Sequence, residues 1–133
     1  MQDSKKTPKS LGYRMPAEWE KQEAVWLAWP HNEDTWPRKV KEVGESCIEF
    51  VRVLHTAQKV KILVNDEKQE SYCKNKLKNW PVDISQIVFY KIRNIDAWMR
   101  DCGPTFVVNK TKHKLAMIKW TFNAWGNKYE DLK

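Results

Sequence analysis

The sequence predicts an α/β domain, because short β-branched apolar runs alternate with segments whose apolar residues recur every three or four positions. A chain of 133 residues is long enough for one core that buries roughly two-thirds of its unfolded surface. With 41% apolar residues and only 4 Gly and 6 Pro, fibrous and disordered classes are excluded.

Residues 1–12 are polar and Lys-rich and read as a flexible basic tail, with residues 13–133 forming the folded part. Ala24-Val25-Trp26-Leu27-Ala28-Trp29, closed by Pro30, is apolar without interruption, which suits a strand buried on both faces. His31 to Pro37 is dense in short polar residues and reads as a loop. A helix is expected from about Pro37 to Ala57, with Val40, Val43, Cys47, Phe50, Val51 and Leu54 as its apolar stripe. Val60 to Val64 reads as a second strand, and Asn65-Asp66 supplies an N-cap for a helix over Glu67 to Lys78. Ile87 to Ile92 reads as a third strand, so the strands are expected to be buried and either parallel or mixed. Thr105 to Val108 and Leu115 to Trp120 flank a polar turn and predict a hairpin. Tyr129 to Lys133 looks like the start of a further element, as if the chain were cut there.

The formal charge of +7 permits an acidic or nucleic-acid partner. Lys68, Lys74, Lys76 and Lys78, however, read more simply as a solvated helix face. Three widely spaced cysteines, Cys47, Cys73 and Cys102, form no CxxC pair, which argues against a structural zinc site or a disulfide framework. The first residues lack an apolar core of the kind a secretory signal needs, and no run of eighteen apolar residues occurs anywhere. A reducing, cytoplasmic setting with no membrane partner is the expectation.

Three segments carry candidate chemistry. Trp98-Met99-Arg100-Asp101-Cys102-Gly103-Pro104 follows the third strand, where ligands gather in α/β sheets. A planar cation such as a guanidinium is best held by a carboxylate that pairs two N–H groups, with an aromatic face alongside. Asp101 and Trp98 offer those two parts, although a local Arg100–Asp101 ion pair beside a packing Trp explains the same residues. Trp120 to Tyr129 holds an aromatic, amide and glycine cluster in which Asn123 can donate and accept. Trp29 to Trp36 reads as a solvated loop carrying one pocket-facing Trp, without metal-ligand spacing. No cysteine makes a convincing nucleophile: Cys102 adjoins a carboxylate, and Cys47 lies on an apolar stripe.

At these positions the chain resembles the agmatine deiminase family, part of the guanidino-group-modifying, or pentein, superfamily. The matching residues are Met15-Pro16-Ala17-Glu18-Trp19-Glu20, Trp29-Pro30 with Asp34 and Trp36, Trp98 with Arg100-Asp101 and Gly103-Pro104-Thr105-Phe106, and Trp120 with Phe122 to Gly126 and Lys128-Tyr129. They occur in the family's order across residues 13–129. The resemblance implies a five-bladed α/β propeller of ββαβ units, of which this chain supplies the first blade and the start of the second. It implies hydrolysis of agmatine to N-carbamoylputrescine and ammonia, in polyamine biosynthesis, without a cofactor. Asp101 is then the catalytic, guanidinium-binding carboxylate. Trp36 and Trp98 wall the pocket, and Asn123 joins the substrate-binding residues chiefly by shaping its loop. The nucleophilic cysteine, the catalytic histidine and a second carboxylate are expected beyond Lys133, so this stretch alone is expected to be inactive. Asn127 stands where the family often has Gly, a change that left-handed backbone at Asn can absorb. A homo-oligomer is left open. The alternatives are a peptidyl-arginine deiminase of the same superfamily, against which the missing signal peptide tells, and a basic nucleic-acid-binding module.

Overall fold

The computed structural model describes residues 6–129. The expected element beginning near Tyr129 therefore lies almost wholly outside the described residues. Two units are present, one of residues 22–99 and one combining residues up to 21 with those from 100 on.

In the first unit, β1 (Ala24–Ala28), β2 (Lys59–Val64) and β3 (Ile87–Lys91) form a parallel sheet in the order β1-β2-β3. Val25, Val60 and Ile87 stand in register, as do Leu27, Ile62 and Phe89, so one face of the sheet is continuously apolar. That face packs with Cys47, Ile48 and Val51 of α1 (Val40–Leu54) and Cys73 and Leu77 of α2 (Glu67–Leu77). Val60, Ile62 and Val64 of the central strand are completely buried. The opposite face carries Trp26, Lys61 and Tyr90, with the Lys61 ammonium 5.1 Å from the Trp26 ring and Trp26 5.0 Å from Tyr90. The expectation of a strand buried on both faces is thus corrected: Ala24 to Leu27 are only half-buried among the described residues.

Both expected helices form, the first placed by its apolar stripe and the second by its N-cap, with shifted ends. Arg38 takes φ 59, a left-handed conformation that no right-handed helix can include, so α1 starts at Val40 instead of Pro37. Its buried stripe is Gly44, Cys47, Ile48 and Val51, and Phe50, expected inside, is 62% exposed. At 3.6 residues per turn Phe50 lies about a third of a turn away from Gly44, outside the buried stripe. The Asp66 cap of α2 is as expected, its carboxylate accepting from the Gln69 N–H at 2.8 Å. Glu67 and Glu70 in the first turn and Lys74 and Lys76 in the last complement the helix dipole. Lys74 also pairs with Glu70 and lies over the Phe89 ring.

In the second unit, β4 (Thr105–Asn109) and β5 (Lys114–Ile118) form the expected hairpin, with Phe106 opposite Met117 and Val108 opposite Leu115. Arg14 adds an antiparallel bridge to Val108. Asn109 is almost fully buried, donating to the Leu11 carbonyl at 3.1 Å and accepting from the Lys112 N–H at 3.0 Å. Gly12 turns the chain there at φ 80, and a Cβ on it would stand 3.0 Å from the Asn109 amide nitrogen. Arg14 clasps Glu20 with two bonds of 2.5 and 2.7 Å, and the Ala17 N–H adds a third.

That clasp has a pH signature. The Arg14 hydrogen bonds, then the Ala17 N–H, lower the Glu20 carboxyl from 4.5 to about 2. Because the folded value is depressed, the contribution of this pair to stability is fully present above about pH 4.5. It fades as the pH falls through about 2. A carboxyl-carbon NMR titration should therefore find Glu20 ionised at pH 3 in the native chain; a midpoint near the ordinary value would show that the clasp does not form.

Candidate functional site

Beyond the carboxyl ends of the parallel strands, a polar network ties three loops together. His31, following β1, bonds the Trp29 carbonyl through Nδ1 and the Asn65 amide through Nε2, both at 3.1 Å. Asn65, following β2, accepts from the Asn94 N–H at 2.7 Å. Since the Asn65 amide donates and the Trp29 carbonyl accepts, this pattern assigns the histidine proton to Nδ1.

Further along the loop after β3, Asp96 gathers three donors. The Thr35 hydroxyl reaches its Oδ2 at 2.6 Å, the Trp98 indole N–H reaches the same oxygen at 2.9 Å, and the Ala97 N–H reaches Oδ1 at 2.8 Å. Trp36 and Trp98 lie with ring centroids 5.6 Å apart and planes inclined by 39°. The structure thus brings together the two tryptophans expected to form an aromatic wall, and it supplies the reason: one carboxylate fixes Trp98 and the residue preceding Trp36. Sequence reasoning passed over Asp96 and Thr35, which are 61 residues apart and share no local pattern.

Asp101 and Asn123 belong to the other unit. The segment expected to be a loop is in fact one helical turn, α3 (Met99–Cys102), and Asp101 on it is exposed. The local ion pair that sequence alone left open is absent among the described residues. Arg100 turns instead to Glu18, 3.0 Å away. Asp101 Oδ1 accepts from the indole N–H of Trp125 at 3.1 Å. Trp125 makes edge-on ring contacts with Phe122 and Tyr129, at 5.1 and 5.9 Å.

Trp125 stands in an uncommon backbone. Ala124, Trp125, Gly126 and Asn127 have φ of 50, 52, 81 and 62, a turn of left-handed helix. Asn123 caps it, accepting from the Gly126 N–H through its side chain at 3.0 Å. Asn127, with φ 62, occupies the left-handed position as a Gly would. Trp120 donates to the Thr105 hydroxyl at 2.9 Å and so ties the end of β5 to the start of β4.

An open cavity of about 450 Å³ lies elsewhere, among Trp29, His31, Lys41, Asp66, Lys68 and Tyr72. None of Trp36, Trp98, Asp101 or Asn123 lines it. Among the described residues no group of three His, Cys, Asp or Glu is arranged to hold a metal, and no helix is long and apolar enough to cross a membrane. Of the eight tryptophans only Trp29 enters the core; Trp19 is 89% exposed and Trp120 59%.

Burial pushes the Cys47 thiol up to about 11 and raises that of Cys73 further, so neither supplies a thiolate near neutrality. Cys102 is exposed. A water-soluble thiol reagent should accordingly modify one cysteine per native chain promptly, with the other two reacting only on unfolding. Prompt modification of two or three would contradict the packing of α1 and α2 against the sheet.

The comparisons with known proteins bear on the family of the chain. Residues 14–133 match the model of the Porphyromonas-type peptidyl-arginine deiminase family. A protein of Enterococcus faecalis named "Putative agmatine deiminase" is 36% identical over 126 residues, covering 95% of this chain and 32% of its own length. A crystal structure of an agmatine deiminase, likewise named as putative, superposes with a TM-score of 0.79 at 36% identity, over 90% of this chain and 32% of that one. The C. jejuni agmatine deiminase C315S with substrate bound gives a TM-score of 0.72 at 32% identity, over 88% of this chain and 32% of that one. The chain therefore spans about a third of the length of these relatives. The resemblance read from the ordered motifs across residues 13–129 is borne out at the level of the family: the chain belongs to the Porphyromonas-type peptidyl-arginine deiminase family and is similar to agmatine deiminases.

Proposed function

We propose that this chain supplies the guanidinium-binding carboxylate, Asp101, of an enzyme that hydrolyses agmatine to N-carbamoylputrescine and ammonia. The observation that carries this reading is the division of partners at α3. Arg100 is engaged by Glu18, while Asp101 meets only the Trp125 N–H among the described residues. Its second oxygen stays available to a planar cation, and a carboxylate of fixed charge is what two parallel N–H groups recognise.

The chemistry divides accordingly. Asp101 holds the cation in line for attack at its central carbon, a contribution of positioning and of charge. Trp36 and Trp98, inclined to one another and anchored by Asp96, offer an aromatic face suited to a delocalised cation. Attack by a cysteine thiolate expels ammonia, and water then releases the ureido product. The raised thiols of Cys47 and Cys73 support placing that nucleophile outside this chain. The parallel strands and the hairpin are read as the first blade, and the opening of the second, of a five-bladed propeller.

The name of the matching family favours a second substrate class, peptidyl-arginine. Ammonia release by the complete enzyme, measured side by side with agmatine and with an arginine-containing peptide, separates the two. Turnover of agmatine alone is expected; turnover of the peptide alone would replace the substrate, and release from neither would remove the reading.

A further inference from the structure

We infer that Trp125 is a positioning residue for Asp101, and that the left-handed turn of Ala124–Asn127 exists to present its indole N–H to that carboxylate. The inference rests on the guanidinium-binding role proposed for Asp101 and names the group that aims it.

The first observation is the bond itself. An indole N–H can only donate, so the 3.1 Å contact to Oδ1 has one polarity, with the carboxylate oxygen as acceptor. It occupies part of one oxygen and limits rotation of the carboxylate plane. A carboxylate on an exposed one-turn helix otherwise samples several rotamers, and a bidentate partner needs one of them.

The second observation is independent and concerns the backbone. Left-handed φ is unfavourable at residues with a Cβ, yet Ala124, Trp125 and Asn127 all adopt it in succession around Gly126. Several local bonds hold the turn: Asn127 N–H to the Asn123 carbonyl at 2.6 Å, Lys128 N–H to the Ala124 carbonyl at 3.1 Å, and the Asn123 side-chain cap. Runs of disfavoured backbone persist where the surroundings over-determine them, and they cluster at functional sites. Here the run ends in a specific delivery. Phe122 and Tyr129 each meet the indole edge-on, and its N–H is directed at Asp101. A tryptophan serving only as packing has no need of that arrangement, since Trp125 remains 38% exposed.

The test has two arms. In the 133-residue chain, Asp101→Ala is expected to move the indole N–H resonance of Trp125 and leave those of the other seven tryptophans in place. An unmoved Trp125 resonance would overturn the contact. In the complete enzyme, Trp125→Phe removes the donor and keeps a ring; it is expected to lower kcat/KM for agmatine about tenfold, while Trp125→His, which keeps an N–H, recovers part of the loss. In an Asp101→Asn background the same Trp125→Phe change is expected to cost nothing further, because there is no ionised carboxylate left to aim. Full additivity of the two changes would assign Trp125 a merely structural role and sink the inference. If Asp101→Asn alone left turnover intact, the failure would lie with the guanidinium-binding reading instead.

Discussion

Asp101→Asn in the complete enzyme is expected to lower agmatine turnover roughly 100-fold without changing the circular dichroism spectrum. The magnitude follows from the environment the site must have. A bidentate, charge-assisted contact in a water-excluded pocket is worth about 3 kcal/mol to the transition state, and each ~1.4 kcal/mol is tenfold. A solvated ion pair, by contrast, contributes about 0 to 1 kcal/mol, less than about fivefold. Asp101 is exposed within residues 6–129, and among these described residues it meets the Trp125 indole. The measurement therefore discriminates between two physical situations. A loss near 100-fold means that further parts of the enzyme close over this carboxylate, whereas a loss below about fivefold means that it remains in water and does not direct the reaction. Asp101→Glu serves as the geometric control, since it keeps the charge and moves it outward by one methylene. A retained charge that fails to restore turnover would locate the requirement in placement, in keeping with the fixed orientation that Trp125 imparts.

The parts legible in the sequence were those set by near neighbours. β2 announced itself through alternating Val60, Ile62 and Val64, and the Asp66 cap of α2 through its place before Glu67. Asn127 was expected to tolerate left-handed backbone because Asn does so readily, and φ 62 bears this out. Three features escaped for identifiable reasons. Periodicity cannot choose between two overlapping apolar stripes on one helix, so Phe50 was taken for Ile48. A continuous apolar run such as Ala24 to Ala28 looks the same whether one face or both are covered, and only the cross-strand neighbour Lys61 and the ring contact of Trp26 with Tyr90 reveal the half-open side. The partners of the candidate site are distant in the chain: Arg100 reaches back 82 residues to Glu18, and Asp101 forward 24 to Trp125. No local pattern encodes such pairings, so the alternative of an Arg100–Asp101 ion pair could be settled only by geometry.

Ile62→Ala is expected to destabilise the chain by about 3 to 4 kcal/mol, a loss typical of large-to-small changes at sites that cannot collapse. Ile62 is wholly buried in the middle of β2, in register with Leu27 on one side and Phe89 on the other. Both neighbouring strands are fixed by backbone hydrogen bonds to β2, so the sheet cannot close on the space vacated by the side chain. Against a total stability of about 5 to 15 kcal/mol for a chain of this size, that is a substantial fraction. Phe50→Ala removes a larger side chain from α1, yet at 62% exposure it is expected to cost no more than about 0.5 kcal/mol. Urea denaturation of the two variants compares them directly, with equal m-values required for the comparison to hold. A stripe running through Phe50, as helical spacing alone suggested, reverses the prediction at that residue. A cost for Phe50→Ala that matched or exceeded that of Ile62→Ala would therefore place the α1 interface on the face bearing Phe50 and undo the packing that holds β1, β2 and β3 together.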